Sequence, residues 1–270
     1  MKYILKIIEI IIALATFASV LAFISERIDE IKNKGTKFLH KPHGIYERFI
    51  KRPLDCFLST GALIVFSPVM FFLTIMGAIK MKGNPFFTQN RPGRIDPKTG
   101  KESIFKLIKY RSMTNEKDEN GNLLPDEQRL PKYGKLLRAS SADELGELFN
   151  IIKGDMSIVG PRPWAVSYLD YFTPEEHQRH SVRPGLTGLA QVNGRTAANW
   201  SERLRYDTEY VKNISFANDA GIIFSTIKKV FVKSDIVEAG CQGDFDEYRK
   251  KQWDDGIVPK PDDISLAIHN

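Results

Sequence analysis

The stretch from Arg138 to Arg162 holds the residue types that phosphorus chemistry needs. Asp143 and Glu144 stand side by side, Arg138 lies shortly before them, and Arg162 follows within Gly160-Pro161-Arg162-Pro163. Ser141-Ala142-Asp143-Glu144 reads as a capping box, with Ser141 as N-cap and Glu144 at the third helical position. Leu145, Leu148, Phe149 and Ile152 then recur at helical spacing, which predicts an amphipathic helix ended by Gly154. A helix N-terminus attracts anions through its unsatisfied N–H groups and its dipole. Guanidinium groups held by a short loop and a proline-stiffened turn suit bidentate phosphate binding. A carboxylate beside them stays ionised, and such a group can attack phosphorus or carry a divalent cation. Two acids in a first turn are also ordinary partners of the helix dipole, so the local sequence leaves both roles open.

Two apolar blocks near the N-terminus must decide where such a site sits. The first, Ile7 to Ile24, is interrupted only by Glu9 and is barely long enough to span a bilayer core of ~30 Å. No small-x-small cleavage site follows it, so an uncleaved anchor, spanning or interfacial, is favoured over a signal peptide; a buried helix is the alternative. Its C-terminal flank carries Arg27, Lys32, Lys34, Lys37 and Lys41 against Lys2 and Lys6 before it. If the block spans, that asymmetry places the N-terminus outside and everything from Glu26 onward on the cytoplasmic side.

The second block, Cys56 to Ile79, carries no charge over 24 positions. As a straight helix it reaches about 36 Å at 1.5 Å per residue, enough to cross. Ser67 and Pro68 sit at its midpoint, where proline removes a backbone donor and frees the Ile64 carbonyl, which the Ser67 hydroxyl is placed to satisfy. Arg48, Lys51 and Arg52 precede the block, and Lys80, Lys82, Arg91 and Arg94 follow it. Both flanks therefore favour the cytoplasmic side. A re-entrant helix over about 54–80, bent at Ser67-Pro68, satisfies both; a kinked spanning helix satisfies one.

From Gly83 the chain reads as water-facing. A short strand is expected over Asn84 to Gln89, a turn at Arg91-Pro92-Gly93, a second turn at Asp96 to Gly100, and a strand over Ser103 to Met113. Thr114 to Gln128 reads as a surface loop with a turn at Glu119-Asn120-Gly121. The polar tail beyond Cys241 is expected to be peripheral. Lys+Arg 39 against Asp+Glu 33 gives a net charge of +6, which favours an anionic partner. No zinc-finger, RRM or helix-turn-helix signature accompanies that charge, so nucleic acid is not expected. Two cysteines make no disulfide framework, and the five histidines read as ordinary surface residues, His177 and His180 lacking a third partner.

Taken in order, several motifs resemble the monotopic phosphoglycosyl transferases, bacterial sugar transferases that start lipid-linked glycan assembly. They are Lys51-Arg52-x-x-Asp55, the Ser67-Pro68 pair, Phe87 to Gly93, Lys109-Tyr110-Arg111-Ser112-Met113 and Arg138-x-x-Ser141-x-Asp143-Glu144-Leu145. Asn150-x-x-x-Gly154-Asp155-Met156-Ser157, Val159 to Pro163, Arg183-Pro184-Gly185-x-Thr187-Gly188, Gln191-Val192-x-Gly194-Arg195 and Asp207-x-x-Tyr210-Val211-x-Asn213 complete the set. The resemblance covers roughly Tyr46 to Ser234.

What it implies is an α/β, mainly α fold: a re-entrant helix, amphipathic helices at the membrane interface and a small β element. An N-terminal anchor over 1–45, a transferase domain over 46–240 and a tail over 241–270 are expected. The implied reaction moves a sugar-1-phosphate from a UDP-sugar to polyprenol phosphate at the cytoplasmic face of the bilayer and releases UMP. Asp143 is the implied nucleophile and Mg²⁺ contact, and Glu144 its catalytic companion. Arg138, Arg162, Lys109, Arg111, Arg183 and Arg195 are the implied phosphate or nucleotide contacts. A membrane-anchored scaffold without turnover and a glycosyltransferase releasing UDP are the alternatives. Near the Gly-Pro-Arg-Pro turn, Trp164, Tyr168, Tyr171 and Phe172 read either as interfacial anchors or as core.

Overall fold

A computed structural model describes residues 40–194, 199–232 and 244–260, together with Ile24. The expected N-terminal anchor and linker, Arg195 and the last ten residues lie outside the described residues, apart from the end of the linker. The chain forms two compact units: one holds Pro42–Arg91 and Ile104–Ile158, the other Pro92–Ser103 and the chain from Val159 on.

In the first unit a π-helical turn, Tyr46–Ile50, leads into α1, Lys51–Lys80. The helix runs unbroken through Ser67 and Pro68. The Ser67 hydroxyl donates to the Ile64 carbonyl at 2.8 Å, which offsets the bond that proline removes. One side of α1 is buried: Arg52, Asp55, Cys56 and Ser59 near its start, then Met70, Leu73 and Gly77. Met70 and Leu73 share a core with Tyr110 and Leu137. The Tyr110 hydroxyl donates to the Met70 carbonyl at 2.9 Å and that of Tyr133 to the Leu73 carbonyl at 3.1 Å. The other sides are open. Phe57, Val65 and Phe71 are 74%, 71% and 69% exposed, large apolar side chains left open along the helix.

A hairpin follows, β1 (Phe86–Ile95) and β2 (Glu102–Tyr110). Arg91-Pro92-Gly93 lies inside β1 and is not the expected turn. Each strand of a two-stranded sheet has a free edge, so the missing N–H of Pro92 breaks no ladder bond that must form. The reversal comes at Asp96 to Lys101, as expected, with the Gly100 N–H donating to the Asp96 carbonyl at 2.8 Å and Gly100 at φ 68°. The expected surface loop closes through a bridge between Lys117 and Leu123, around Gly121 at φ 82°.

Helix α2, Lys132–Ala139, ends in a sharp reversal. Ser141 takes a left-handed conformation, φ 53°, with no side-chain cap bond, so the capping box is not formed. The next turn, Ala142–Gly146, is a 3₁₀ helix, and only then does α3, Glu147–Lys153, begin. The tighter turn shifts the helical register. Leu148 and Ile151 are buried and Phe149 is exposed, against the expected stripe of Leu145, Leu148, Phe149 and Ile152. Gly154 ends α3 at φ 102°, as the sequence predicts, and β3 (Ser157–Val159) follows.

The second unit holds β4 (Gly185–Thr187), α4 (Leu189–Gly194), α5 (Trp200–Lys212), α6 (Phe216–Val232) and α7 (Phe245–Asp254). Its core is aromatic: Trp164, Phe172, Leu204 and Phe245 are buried together, with Tyr168, Tyr171 and Trp200 packed against them. Trp164 and Phe172 are therefore core residues here. Part of the tail is also core, because Phe245 is fully buried and Arg249 donates to both oxygens of Glu176 at 2.6 and 2.7 Å.

Candidate active site

Asp143 and Glu144 sit half-buried on the 3₁₀ turn between α2 and α3. That turn lies directly on β2. A Cβ on Gly146 would meet the Ile108 carbonyl at 2.7 Å, so this position admits only glycine at the observed approach. Asn150, buried on α3, fixes the same register. Its side-chain oxygen accepts from the Ile108 N–H at 3.0 Å and its amide donates to the Lys106 carbonyl at 2.8 Å, as a neighbouring strand would.

Lys109 rises from β2 between two acids, with Nζ 3.1 Å from Glu144 and 3.0 Å from Glu147. Glu147 is 2% exposed. Removing the lysine strands a buried charge, and breaking such pairs costs about 3 kcal/mol or more. Lys109→Met is expected to lose about 3 kcal/mol in chemical denaturation, and Glu147→Gln added to it to recover most of that loss. An unchanged loss in the double variant would show that the ion pair is not what holds this corner.

Arg138, in the last turn of α2, donates through Nε to Ser112 Oγ at 3.0 Å and through Nη2 to Met113 Sδ at 2.8 Å. Arg111 follows β2, its backbone N–H bonded to the Pro85 carbonyl at 2.7 Å. Asp143, Glu144, Lys109, Arg111 and Arg138 thus all lie in the first unit. Arg162 and Arg183 lie in the second, each half-buried.

Two residues of the Lys51-Arg52-x-x-Asp55 motif position the site from behind. Three residues apart on α1, they face the same way. Arg52 donates to the Ile151 and Ile152 carbonyls at 2.6 and 2.9 Å, satisfying the C-terminal end of α3. Asp55 accepts from Ser157 Oγ at 2.7 Å and from the Ile158 N–H at 3.2 Å, fixing the start of β3. In the second unit Arg179 supports the Gly160-Pro161-Arg162-Pro163 turn. It donates to the Arg162 carbonyl at 2.6 Å and to Asp207 from Nε and Nη2 at 2.9 and 2.7 Å, with its guanidinium 4.2 Å above the Trp164 ring. The Tyr210 hydroxyl lies 2.9 Å from both the Val159 carbonyl and Asp219.

The histidines differ from expectation. His177 and His180 do have a third partner, Glu102 at the start of β2: His177 Nδ1 lies 2.8 Å from its Oε1 and His180 Nδ1 3.2 Å from the same oxygen. Burial pushes His180 down to about 4, against the pull of Glu102, so its ring is neutral at neutral pH.

Residues 46–233 match the bacterial sugar transferase family. The chain is 43% identical over 187 residues to the sugar transferase EpsL of Bacillus subtilis, covering 69% of this chain and 90% of that protein. It is 35% identical over 197 residues to the UDP-N-acetylgalactosamine-undecaprenyl-phosphate N-acetylgalactosaminephosphotransferase of Aeromonas hydrophila, covering 70% of this chain and 45% of that one. To the UDP-glucose:undecaprenyl-phosphate glucose-1-phosphate transferase of Klebsiella pneumoniae it is 37% identical over 192 residues, covering 67% and 40%. The match to the last two thus spans less than half of either. The matched span takes in the Asp-Glu turn, the α1 residues that brace it and the Arg179–Asp207 pair, and the chain belongs to the bacterial sugar transferase family.

Proposed function

We propose that this chain transfers a sugar-1-phosphate from a UDP-sugar to polyprenol phosphate, through an aspartyl phosphosugar on Asp143. The observation that carries the reading is the placement of Asp143. It stands half-buried on the turn beside Glu144, whose carboxylate is paired with Lys109, in a chain of the sugar transferase family. The names of the Aeromonas and Klebsiella relatives support the substrate class.

In the first step a carboxylate oxygen of Asp143 attacks the β-phosphorus of the UDP-sugar. The bond from that phosphorus to the bridging oxygen breaks, and UMP leaves with the electron pair. In the second step a phosphate oxygen of the lipid attacks the same phosphorus, the acyl–phosphate bond breaks, and Asp143 returns as a carboxylate. Glu144, held by Lys109, orients the incoming phosphate or accepts its proton. Arg138 and Arg111 contact donor phosphate oxygens, and Arg162, Arg183 and Arg195 contribute nucleotide or phosphate contacts. Adjacent carboxylates on an accessible turn are hard oxygen donors of the kind Mg²⁺ takes, so the residues fit the ion, with Asp143 as its protein contact. Bound there, Mg²⁺ supplies charge neutralisation on the diphosphate.

Covalent transfer suits two substrates of opposite solubility, because UMP departs before the lipid phosphate arrives. Helix α1 supplies the membrane contact: it is long and apolar enough to cross a bilayer, and most of its apolar surface is open. Positive residues at both ends favour re-entry over crossing, and the Ser67–Ile64 hydrogen bond beside Pro68 marks where the helix would bend in the bilayer. On α6, Phe216, Phe224 and Ile227 are exposed at helical spacing and suit an interfacial position.

Two measurements follow. Purified protein with a UDP-sugar and undecaprenyl phosphate is expected to release UMP; UDP as the nucleotide product would identify a conventional glycosyltransferase instead. Ile45→Cys and Gly83→Cys, both in open surroundings, are expected to be labelled from the cytoplasmic side only. Labelling from opposite sides would show that α1 spans.

A further inference from the structure

We infer that Glu102, His177 and His180 form a binding site for a borderline divalent metal of the Zn²⁺ class, distinct from the Asp143 turn. All three residues belong to the second unit, and donor atoms from the three lie within 4.8 Å of one another. The site is built by the fold. His177 and His180 stand three apart on the 3₁₀ helix Glu176–Ser181, where side chains at that spacing eclipse. Glu102 enters from the first position of β2.

Metal–nitrogen and metal–oxygen bonds of about 2.0–2.1 Å at tetrahedral angles put ligand atoms about 3.3 Å apart. The 3.2 Å from Glu102 Oε1 to His180 Nδ1 is close to that edge, and the 2.8 Å hydrogen bond to His177 Nδ1 opens by about half an ångström to admit the ion.

A second observation points the same way. His180 Nδ1 is buried and aimed at the Glu102 carboxylate, 3.2 Å from its Oε1. The surroundings hold the rings in place. Phe172 meets both imidazoles edge-on, with centroids 5.6 and 5.3 Å away. Arg249 pins Glu176 at the head of the 3₁₀ helix. Arg179, whose Nη1 is 3.4 Å from His180 Nε2, has its own charge offset by Asp207.

Two imidazoles and one carboxylate select Zn²⁺, Co²⁺ or Ni²⁺ over Mg²⁺, which prefers an all-oxygen shell. The fourth position opens to solvent past His177, whose side chain is 33% exposed. The ion's role is structural: it ties the end of the β1–β2 hairpin to the 3₁₀ helix that carries Arg179.

The test uses tag-free, full-length protein in detergent, stripped with chelator and titrated with Co²⁺. One equivalent is expected to give the visible d–d bands of a tetrahedral site, displaced by Zn²⁺. The bands are expected to vanish in His177→Gln and Glu102→Gln and to persist in Asp143→Asn. Zn²⁺ is expected to raise the melting temperature of the wild type by several degrees and that of His177→Gln not at all. His177 is the least buried ligand, so its variant keeps the fold. A wild type that binds no equivalent, or bands that survive in His177→Gln, would overturn the assignment. The outcome is independent of UMP release, because the Asp143 variant separates the two sites.

Discussion

Asp143→Asn is expected to abolish turnover, lowering UMP release by roughly four orders of magnitude or more, as removal of a covalent nucleophile does. The amide keeps the size and most of the polarity of the side chain but cannot form the acyl phosphate. The 3₁₀ turn is held by contacts that Asp143 does not make: the approach of Gly146 to Ile108 and the pairing of Asn150 with β2. The variant should therefore keep its fold, as far-UV circular dichroism would show, and the defect should lie in kcat. Glu144→Gln should be milder, since it keeps a hydrogen-bonding side chain beside Lys109 while losing the charge. Wild-type rates in Asp143→Asn would remove this residue from the reaction.

Arg179→Met should produce the largest loss of stability, about 4–5 kcal/mol by chemical denaturation. Arg179 is 1% and Asp207 2% exposed, so the substitution leaves a carboxylate buried without its cation. It also releases the Arg162 carbonyl and the contact with Trp164. With a typical total of about 5–15 kcal/mol, a loss of that size takes from roughly a third to nearly all of the margin. Replacing both partners, Arg179→Met with Asp207→Leu, should recover a large part of it, because an apolar pair leaves no orphaned charge. Equal instability of the single and double variants would show that the Arg162 carbonyl, not the ion pair, dominates.

Much of the architecture could be read from the sequence where partners are close along the chain. The uncharged run from Cys56 to Ile79 predicts the long helix, and the spacing of Ser67 and Ile64 predicts their hydrogen bond. The hairpin turn at Asp96 to Gly100 and the stop at Gly154 follow from local turn chemistry.

Local reasoning failed where a distant contact overrode it. Ser141 has the composition of an N-cap, but the chain must reverse on leaving α2 and lay Gly146 against β2, which imposes a left-handed residue and a 3₁₀ turn. Arg52 and Asp55 are recognisable as a motif, yet their partners lie about a hundred residues away in sequence and carry no local signal. The same holds for Arg179 with Asp207 and for Glu102 with His177 and His180. Phe245 in the polar tail looked peripheral because a single buried aromatic on a charged helix gives little periodicity.

Roles and positions also separate in the candidate site. The local chemistry of Asp143 and Glu144 leaves their role open and the family resemblance supplies it, while the structure supplies their setting: a turn braced by β2 beneath and anchored through α3 to α1. Lys109 gains a second, structural task as the counterion of Glu147.

The most direct test is mass spectrometry of enzyme incubated with its UDP-sugar, without lipid acceptor, and quenched in acid. A peptide containing Asp143 should carry the added mass of one sugar phosphate, and the adduct should disappear when polyprenol phosphate is supplied before the quench. Formation of the glycolipid at full rate while Asp143 never becomes modified would contradict the account.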